Sequence, residues 1–244
     1  MLPRRRGEFA HPDGSGPLQF AAMHTLVDPA DDPAVDDAPR RGRILWALAT
    51  CMAAKGYQAT TIADIAGAAR VSKTVVYAHF PDKEHCLLEL YSRANDKVLA
   101  SVRQAQDAAR RAGLPWRDRL RAGVGAYLET LADSPAVAWA ALVEVQAAGR
   151  PALALRRQVI DRYVELLTEV ADGLAVEHPD EVRPVTRDVL VAAVGGINEL
   201  MLARVERGEA ALLRDDDDVA AGIVIGLLER RGPLPGHTAP RPPG

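Results

Sequence analysis

The stretch "TIADIAGAARVSKTVVYAHF", residues 61–80, contains two short helical patterns separated by a tight turn. Thr61 and Asp64 match a capping box, in which a hydroxyl and a carboxylate each accept a backbone N–H at a helix start. Ser72 follows the turn and is a suitable N-cap for a second helix over about 73–80. The stretch therefore predicts a short helix, a turn of about three residues and another short helix.

The side chains of this stretch separate into an inner and an outer set. The inner set is apolar and is expected to meet in the angle between the two helices: Ile65, Ala66, Val71, Val76 and Phe80. The outer face of the second helix carries Lys73, Thr74, Tyr77 and Ala78. A third helix, predicted over about 39–55 with an apolar stripe and a stop at Gly56, would support the pair.

A supporting helix followed by two short helices that a tight turn separates is a helix-turn-helix unit. The helix after the turn, at about 73–80, is the one that enters the DNA major groove. Two other interpretations of the outer face are an ordinary solvated helix surface and a metal or catalytic cluster. His79, His85 and Cys86 do not share one helix face at i, i+4 spacing, which disfavours zinc. The helix caps, the turn, the core pattern and the positive charge together favour DNA binding over the other two interpretations.

The charge of the chain is unevenly distributed. Residues 40–83 contain seven Lys or Arg and two Asp, a net charge of +5. Because the whole chain carries -3, the remainder carries -8. A basic module attached to an acidic body fits local contact with a polyanion.

The rest of the sequence predicts helices only, so the fold class is all-α. Further helices are expected at about 83–111, 115–132, 135–148, 151–176, 184–207 and 217–231. Residues 1–38 and the Pro/Gly-rich residues 232–244 are interpreted as disordered tails. Met23 is a second candidate for the initiating methionine. The predicted domains are a helix-turn-helix domain at 39–85 and a helical C-terminal domain at 86–231.

Several function classes find little support in the sequence. No GxGxxG, GxxxxGK[ST], HExxH or GxSxG motif occurs, so we expect no enzyme activity, no cofactor and no metal site. The acidic run at 215–218 is interpreted as a solvated helix start. Cys51 and Cys86 have no CxxC spacing and indicate buried thiols. No apolar run is long enough for a membrane span, and we expect a cytoplasmic protein.

Residues 40–91 resemble the DNA-binding domain of TetR-type transcriptional regulators. Matching elements, in order and spacing, are Ile44-Leu45, Gly56, Thr60-Thr61, Ile65-Ala66, Val71-Ser72, Tyr77, His79-Phe80, Lys83-Glu84 and Leu87. One departure is Arg70, where the family usually has a turn glycine. Arg70 is therefore expected to adopt a positive φ with mild strain.

The resemblance implies a homodimer that binds an inverted-repeat operator in double-stranded DNA. It places Lys73, Thr74 and Tyr77 on the reading helix and makes Thr61, His79 and Lys83 phosphate contacts. Ser72, at the start of that helix, is included in the predicted DNA-binding set. The protein is expected to be a repressor that a small-molecule effector releases from DNA.

The C-terminal domain is implied to bind the effector and to dimerise through its last two long helices. Candidate effector contacts, which suggest a mostly apolar ligand with few polar anchors, are Tyr127, Trp139, Gln146, Tyr163 and Asn198. Each of them can equally be a core residue, and for Asn198 a satisfied core amide is the preferred interpretation. The helix at 184–207 is apolar on nearly all sides, which suits a dimer interface formed by Ala192, Gly195, Gly196, Ile223 and Leu227.

A competing hypothesis is an all-α enzyme or small-molecule binding protein that keeps a non-functional helix-turn-helix. Direct DNA binding by the purified protein would discriminate between the two.

Overall fold

The computed structural model describes residues 38–230. Both predicted tails lie outside this range, except that Ala38 opens the first helix. The described chain is all-α, as predicted, and none of its helices is long and apolar enough to cross a membrane.

Nine helices follow one another along the described chain. They are α1 Ala38–Lys55, α2 Ile62–Ala69, α3 Lys73–His79, α4 Lys83–Arg111, α5 Trp116–Ala132, α6 from Pro135–Trp139 to Val145–Ala147, α7 Arg150–Glu177, α8 Arg187–Glu206 and α9 Asp217–Leu228. A π-helical segment, Ala140–Glu144, lies inside α6, and a 3₁₀ segment, Ala210–Asp216, precedes α9. The sequence had predicted every α-helix in order but neither irregular segment.

The predicted capping box starts α2. The Asp64 N–H donates to Thr61 Oγ1 at 3.2 Å, and the Thr61 N–H donates to Asp64 Oδ2 at 2.8 Å. Lys55, at the end of α1, forms a 2.6 Å ion pair with the same carboxylate. The Lys55 ammonium and the Thr61 hydrogen bonds hold the pKa of Asp64 well below its usual range. One carboxylate therefore fixes the junction between α1 and α2.

The core of the helix-turn-helix is the predicted one. Ile65, Val76 and Phe80 are buried, and they join the cluster that fills the angle between α2 and α3. The Arg41 guanidinium lies 4.5 Å from the centre of the Phe80 ring and forms a bidentate ion pair with Glu89. Arg41 thereby attaches α1 to α3 and to α4.

Lys83 anchors the start of α4 to the loop between α1 and α2. Its ammonium donates to the carbonyls of Tyr57 at 2.8 Å, Gln58 at 3.2 Å and Thr60 at 3.0 Å. The same nitrogen lies 4.4 Å from the centre of the Tyr57 ring. All three ammonium protons are therefore used inside the protein.

The C-terminal part continues the same core. One apolar cluster extends from α1 through α4 and α6 to α8, and a second one surrounds Trp116 between α5, α7 and α9. Because α4 crosses the predicted boundary at residue 85, the division into two domains stays a prediction. Cys51 and Cys86 are free thiols, and Cys86 is buried as expected.

The end of α9 differs from the prediction. The helix stops at Leu228 rather than at residue 231, because Glu229 is extended and forms an isolated β-bridge with Val182. The acidic run also differs in part. Asp217 and Asp218 lie in the first turn of α9, but Asp216 accepts two hydrogen bonds from Arg204, at 2.8 and 2.7 Å.

The turn between α2 and α3 has the predicted positive φ. Arg70 adopts a left-handed conformation with φ 55° and ψ 45°, and it is exposed. A β-carbon disfavours this region, which glycine enters at no steric cost. We expect Arg70→Gly to raise the free energy of unfolding by about 0.5–1 kcal/mol in urea denaturation. The control Ala68→Gly, at an exposed helical position, should lower it by a similar amount, and equal effects would contradict the strain.

Lys83 provides a second stability test. Lys83→Met keeps the apolar stem but removes three hydrogen bonds from a charged donor, so we expect a loss of about 1.5–3 kcal/mol in the free energy of unfolding. The control is Lys73→Met on the exposed face of α3, which should change the free energy of unfolding by less than about 0.5 kcal/mol. Equal stabilities of the two variants would show that the Lys83 contacts contribute nothing.

Candidate nucleic-acid interface and ligand cavity

The outer face of α3 is accessible. Lys73 and Thr74 are exposed, and Tyr77, one turn further along, exposes 55 % of its surface. Ser72 is exposed too, and its hydroxyl accepts the Val75 N–H at 3.2 Å as the predicted N-cap. A short helix therefore presents an ammonium, an alcohol and a phenol side by side, all of which can donate to base edges or phosphates.

Two predicted phosphate contacts border this face. Thr61 is exposed at the start of α2, and its hydroxyl donates to Asp64 Oδ2 at 2.6 Å. His79 is half-buried at the end of α3, where its ring packs beside Phe80. The structure keeps both residues near the outer face, and their contact with DNA stays a prediction.

The phosphate contact at Lys83 stays a prediction. In the DNA-free chain its ammonium group donates to three backbone carbonyls, so a phosphate would have to replace one of these acceptors. The sequence could not distinguish these roles, because a lysine at a helix start suits an anion and a carbonyl cluster equally well.

The unpaired positive charge of the N-terminal domain lies on α1, in the turn and at the start of α3. Of the seven cations at 40–83, Lys55 and Arg41 are paired with acids, Lys83 is bound to carbonyls, and Arg40 also interacts with another group. Arg43, Arg70 and Lys73 are exposed and form no ion pair within residues 38–230. Arg43 and Arg70 are therefore candidate phosphate contacts that the motif comparison missed, although the charge count included them.

A cavity lies between α4, α5, α6, α7 and α8. It has a volume of about 130 Å³ and a largely apolar wall, which includes Val102, Leu120, Val159, Leu166, Val194 and Ile197. An engineered apolar cavity of about 150 Å³ accepts benzene, so this cavity is of the size of a small ring or a short chain.

Polar groups on the cavity wall form a short chain. The Tyr163 hydroxyl donates to Asn95 Oδ1 at 3.0 Å, and the Asn95 amide donates to the Tyr91 carbonyl at 2.8 Å. Tyr127 meets the Tyr163 ring edge to face, with ring centres 5.8 Å apart. Burial raises the pKa of Tyr91 to about 12 and also raises the pKa of Tyr127 and Tyr163. All three phenols are therefore neutral at physiological pH.

Three of the five predicted effector contacts line the cavity: Tyr127, Tyr163 and Asn198. Neither the Tyr127 hydroxyl nor the Asn198 side chain makes a hydrogen bond to another residue in the described range. The structure therefore shows no partner for the Asn198 amide within the described residues, and its role as a core amide or as an effector contact stays a prediction.

The other two predicted contacts do not line the cavity. The Trp139 indole N–H donates to Glu144 Oε1 at 2.9 Å, and the exposed Gln146 donates to the Leu142 carbonyl at 2.7 Å. The prediction rested on which helices surround the cavity in the resembled family, and this does not determine which face of a helix is directed to the cavity.

Cavity residues on α4 were missed. Tyr91, Asn95 and Gln106 line the cavity with Tyr127 and Asn198. Tyr91 and Asn95 lie four positions apart on the buried face of an amphipathic helix. Polar side chains at that spacing on an otherwise apolar helix face could have been used to predict that Tyr91 and Asn95 line a cavity.

An apolar surface covers one side of α8 and α9. Ala192, Gly195 and Gly196 are exposed on α8, and Ile223 and Leu227 are half-buried on α9. A methyl group added at Gly195 or Gly196 would contact no other group within 4 Å. Packing inside the described chain therefore does not require glycine at these two positions.

Comparison with known proteins agrees with these observations. Residues 44–90 match the family described as bacterial regulatory proteins, tetR family. The transcriptional activator FasR of Mycolicibacterium smegmatis is 38 % identical over 90 residues, which cover 37 % of this chain and 39 % of that protein. The uncharacterised regulator YerO of Bacillus subtilis is 25 % identical over 76 % of this chain and 62 % of its own length. Each match thus spans less than two thirds of the curated relative.

Solved structures share the fold over most of the chain. The fatty acid degradation regulator FadR of Bacillus halodurans has a TM-score of 0.68 at 19 % identity, covering 77 % of this chain and 95 % of its own. FadR of Bacillus subtilis, solved in complex with stearoyl-CoA, has a TM-score of 0.63 at 14 % identity, covering 75 % and 96 %. A tetR family protein of Rhodococcus RHA1 has a TM-score of 0.60 at 23 % identity, covering 76 % and 96 %.

The matched family and the curated relatives are transcriptional regulators rather than enzymes. Residues 44–90 belong to the tetR family of bacterial regulatory proteins, and the all-α fold of the described chain is similar to that of solved tetR-family proteins.

Proposed function

We propose that the chain is a homodimeric regulator that binds an inverted repeat in DNA and responds to a small, mostly apolar effector. The observation that carries the proposal is the exposed, unpaired cationic face at α3, held on the same rigid core as an apolar cavity. The proposed sign of regulation is repression, with release of the DNA by the effector.

In the proposed DNA complex, α3 enters the major groove. Lys73 and Thr74 are at its first turn, where such helices contact base edges, and Tyr77 follows one turn later. Ser72 and His79 are proposed to donate to phosphates, and Arg43 and Arg70 to add positive charge. Thr61 and Lys83 are proposed phosphate contacts too, and each would exchange a hydrogen bond inside the protein for one to a phosphate.

DNA binding is tested on sites selected from a random duplex pool by the wild-type protein. We expect Lys73→Ala and Tyr77→Phe each to weaken binding by about 1–3 kcal/mol if the contact is to a base. Arg43→Ala should weaken binding to all sequences about equally and reduce the salt slope by about one, because it is assigned to phosphate.

Fluorescence anisotropy titrations at several salt concentrations provide the measurement. The control is Arg103→Ala, an exposed cation on α4 outside residues 40–83. Failure to select any DNA, or unchanged affinity in all three interface variants, would contradict the assignment and favour the binding-protein alternative.

The proposed dimer interface is the apolar surface of α8 and α9. Exposed apolar side chains continue it at Val191, Leu200 and Val219. Small residues allow two helices to approach closely, so a second copy of the chain can pack its own α8 and α9 against these. A two-fold dimer also places two reading helices about 34–36 Å apart, one turn of DNA.

Gly196→Leu tests the dimer. The larger side chain has space within one chain but would overfill a close contact between two copies, which typically costs about 1–3 kcal/mol. Sedimentation velocity should show a shift toward monomer. Gly173→Leu, at an exposed helical glycine of α7 with no neighbour within 4 Å of the added carbon, should leave the dimer intact. An unchanged dimer in Gly196→Leu would contradict this interface.

For the effector, we propose a compound with an acyl chain. The cavity wall is mostly apolar, and the polar side chains on it that form no hydrogen bond to another described residue, Gln106, Tyr127 and Asn198, are neutral. The similar FadR of Bacillus subtilis binds stearoyl-CoA. An acyl chain longer than the cavity must displace its walls, so binding of the effector would move the helices that form them.

Linkage supplies the effector test. If stearoyl-CoA or decanoate shifts the protein away from its DNA-bound state, DNA must weaken effector binding by the same factor. Isothermal titration with and without selected DNA should therefore show a weaker affinity in the complex. Val102→Trp, which fills the cavity, should abolish binding of both compounds. Equal affinity with and without DNA would exclude release by the effector, and a higher affinity in the complex would show that the effector promotes DNA binding.

A further inference from the structure

The π-helical segment Ala140–Glu144 joins two regions of the molecule. The Val145 N–H donates to the Ala140 carbonyl, five residues back, and the Gln146 side chain donates to the Leu142 carbonyl at 2.7 Å. Such segments are rare and are often found at functional sites. The side-chain bond from Gln146 helps to hold this less favourable register.

The two ends of this segment contact different partners. Ala141 and Leu142 form part of the cavity wall. Glu144 is 8 % exposed and reaches the N-terminal domain, where its Oε2 accepts the Tyr57 backbone N–H at 2.8 Å. Its Oε1 accepts the Trp139 indole N–H at 2.9 Å. A buried carboxylate is costly unless hydrogen-bonded, so these two donors define its position.

Tyr57 belongs to a closely held loop at 56–60. Gly56 has φ 81°, a conformation suited to glycine, and a β-carbon there would lie 3.6 Å from Glu144 Oε1. The Thr60 hydroxyl donates to the Gly56 carbonyl at 2.8 Å, and Lys83 holds the Tyr57 carbonyl. Since Thr60 directly precedes the α2 cap at Thr61, a shift of this loop displaces the start of the helix-turn-helix.

We propose that Glu144 is a positioning residue that transmits the state of the cavity to the helix-turn-helix through the Tyr57 amide. This inference rests on the proposed control by an effector and names the route of that control. When the cavity walls are pushed outward, Leu142 moves, the π register changes and Glu144 loses the Tyr57 N–H. With the walls relaxed, the bond holds the loop and the start of α2.

The geometry makes this contact two-state. If the π-helical segment becomes regular α-helix, the hydrogen-bonding pattern shifts by one residue. The helix that follows then rotates by about 100°, the angle that one residue turns in an α-helix. Leu142 and Glu144 cannot both keep their present directions after such a rotation. The position of the cavity wall would therefore determine whether the hydrogen bond from the Tyr57 N–H to Glu144 is kept or lost.

The test measures hydrogen exchange of the full chain at residues 56–60, without DNA or ligand. Glu144→Met keeps the length of the side chain but removes both acceptors, and we expect exchange at the Tyr57 amide to rise on the order of tenfold. Glu144→Gln keeps one acceptor and should restore part of the protection. The control Glu165→Met, at an exposed position of α7, should leave exchange in the loop unchanged.

Coupling is tested with a substitution that overfills the cavity. Val194 lines the cavity from α8, which packs against the π-helical segment. Val194→Phe should raise exchange at 56–60 several-fold in the wild-type background and add little in the Glu144→Met background. If Glu144 had only a structural role, the effects of Glu144→Met and Val194→Phe on exchange at 56–60 would be additive.

Two results would overturn the proposal: unchanged exchange at Tyr57 in Glu144→Met, or an equal effect of Val194→Phe in both backgrounds. If Glu144→Met does not fold, Trp139→Phe removes one of the two donors, and a smaller rise in exchange at Tyr57 is then required. Because no DNA is present, failure here leaves the DNA-binding proposal intact, and failure to bind DNA leaves this coupling intact.

Discussion

The loop at 56–60 is the point on which the rest of the architecture depends, because two charged side chains hold its backbone from opposite sides. Lys83 donates to three of its carbonyls, and Glu144 accepts one of its N–H groups. Both side chains thereby bind backbone groups where the loop meets the rest of the chain. The loop thereby connects α1, α2, α4 and α6, four of the helices that determine where α3 lies.

This constraint matters because the reading helix cannot stand alone. With seven residues, α3 is shorter than the roughly 12–15 residues at which isolated helices become marginally stable. Its direction is set by Val76 and Phe80 in the core and by the Arg41 guanidinium against the Phe80 ring. Arg41 also pairs with Glu89 on α4, so a movement of α4 relative to α1 is opposed by the same side chain.

Sequence reasoning succeeded where the deciding interaction is local. The caps at Thr61 and Ser72, the glycine after α1 and the positive φ at Arg70 all follow from residues within one helical turn. It failed where the partner is distant in sequence. The roles of Lys83 and Glu144 are fixed by groups 23–26 and 87 positions away, respectively.

The cavity shows the same division. All five candidate contacts were chosen because their helices surround the cavity in the resembled family, and only Tyr127, Tyr163 and Asn198 lie on faces that line the cavity. The π-helical segment of α6 is a further feature that the sequence did not predict. No residue type marks such a segment in a single sequence.

The last constraint concerns α8, whose opposite faces serve two proposed purposes. Val194, Ile197 and Asn198 line the cavity, while Gly195 and Gly196 lie on the exposed apolar surface. In the proposed dimer this helix would be held by its counterpart, so it could yield little when a ligand pushes against it. The wall formed by α4 and the π-helical segment of α6 would lie outside this proposed interface, and Glu144 attaches it to the loop at 56–60. A ligand that needs more space than the cavity offers would therefore move the wall that carries Glu144, and the rigidity of the dimer would direct the movement toward the DNA-binding face.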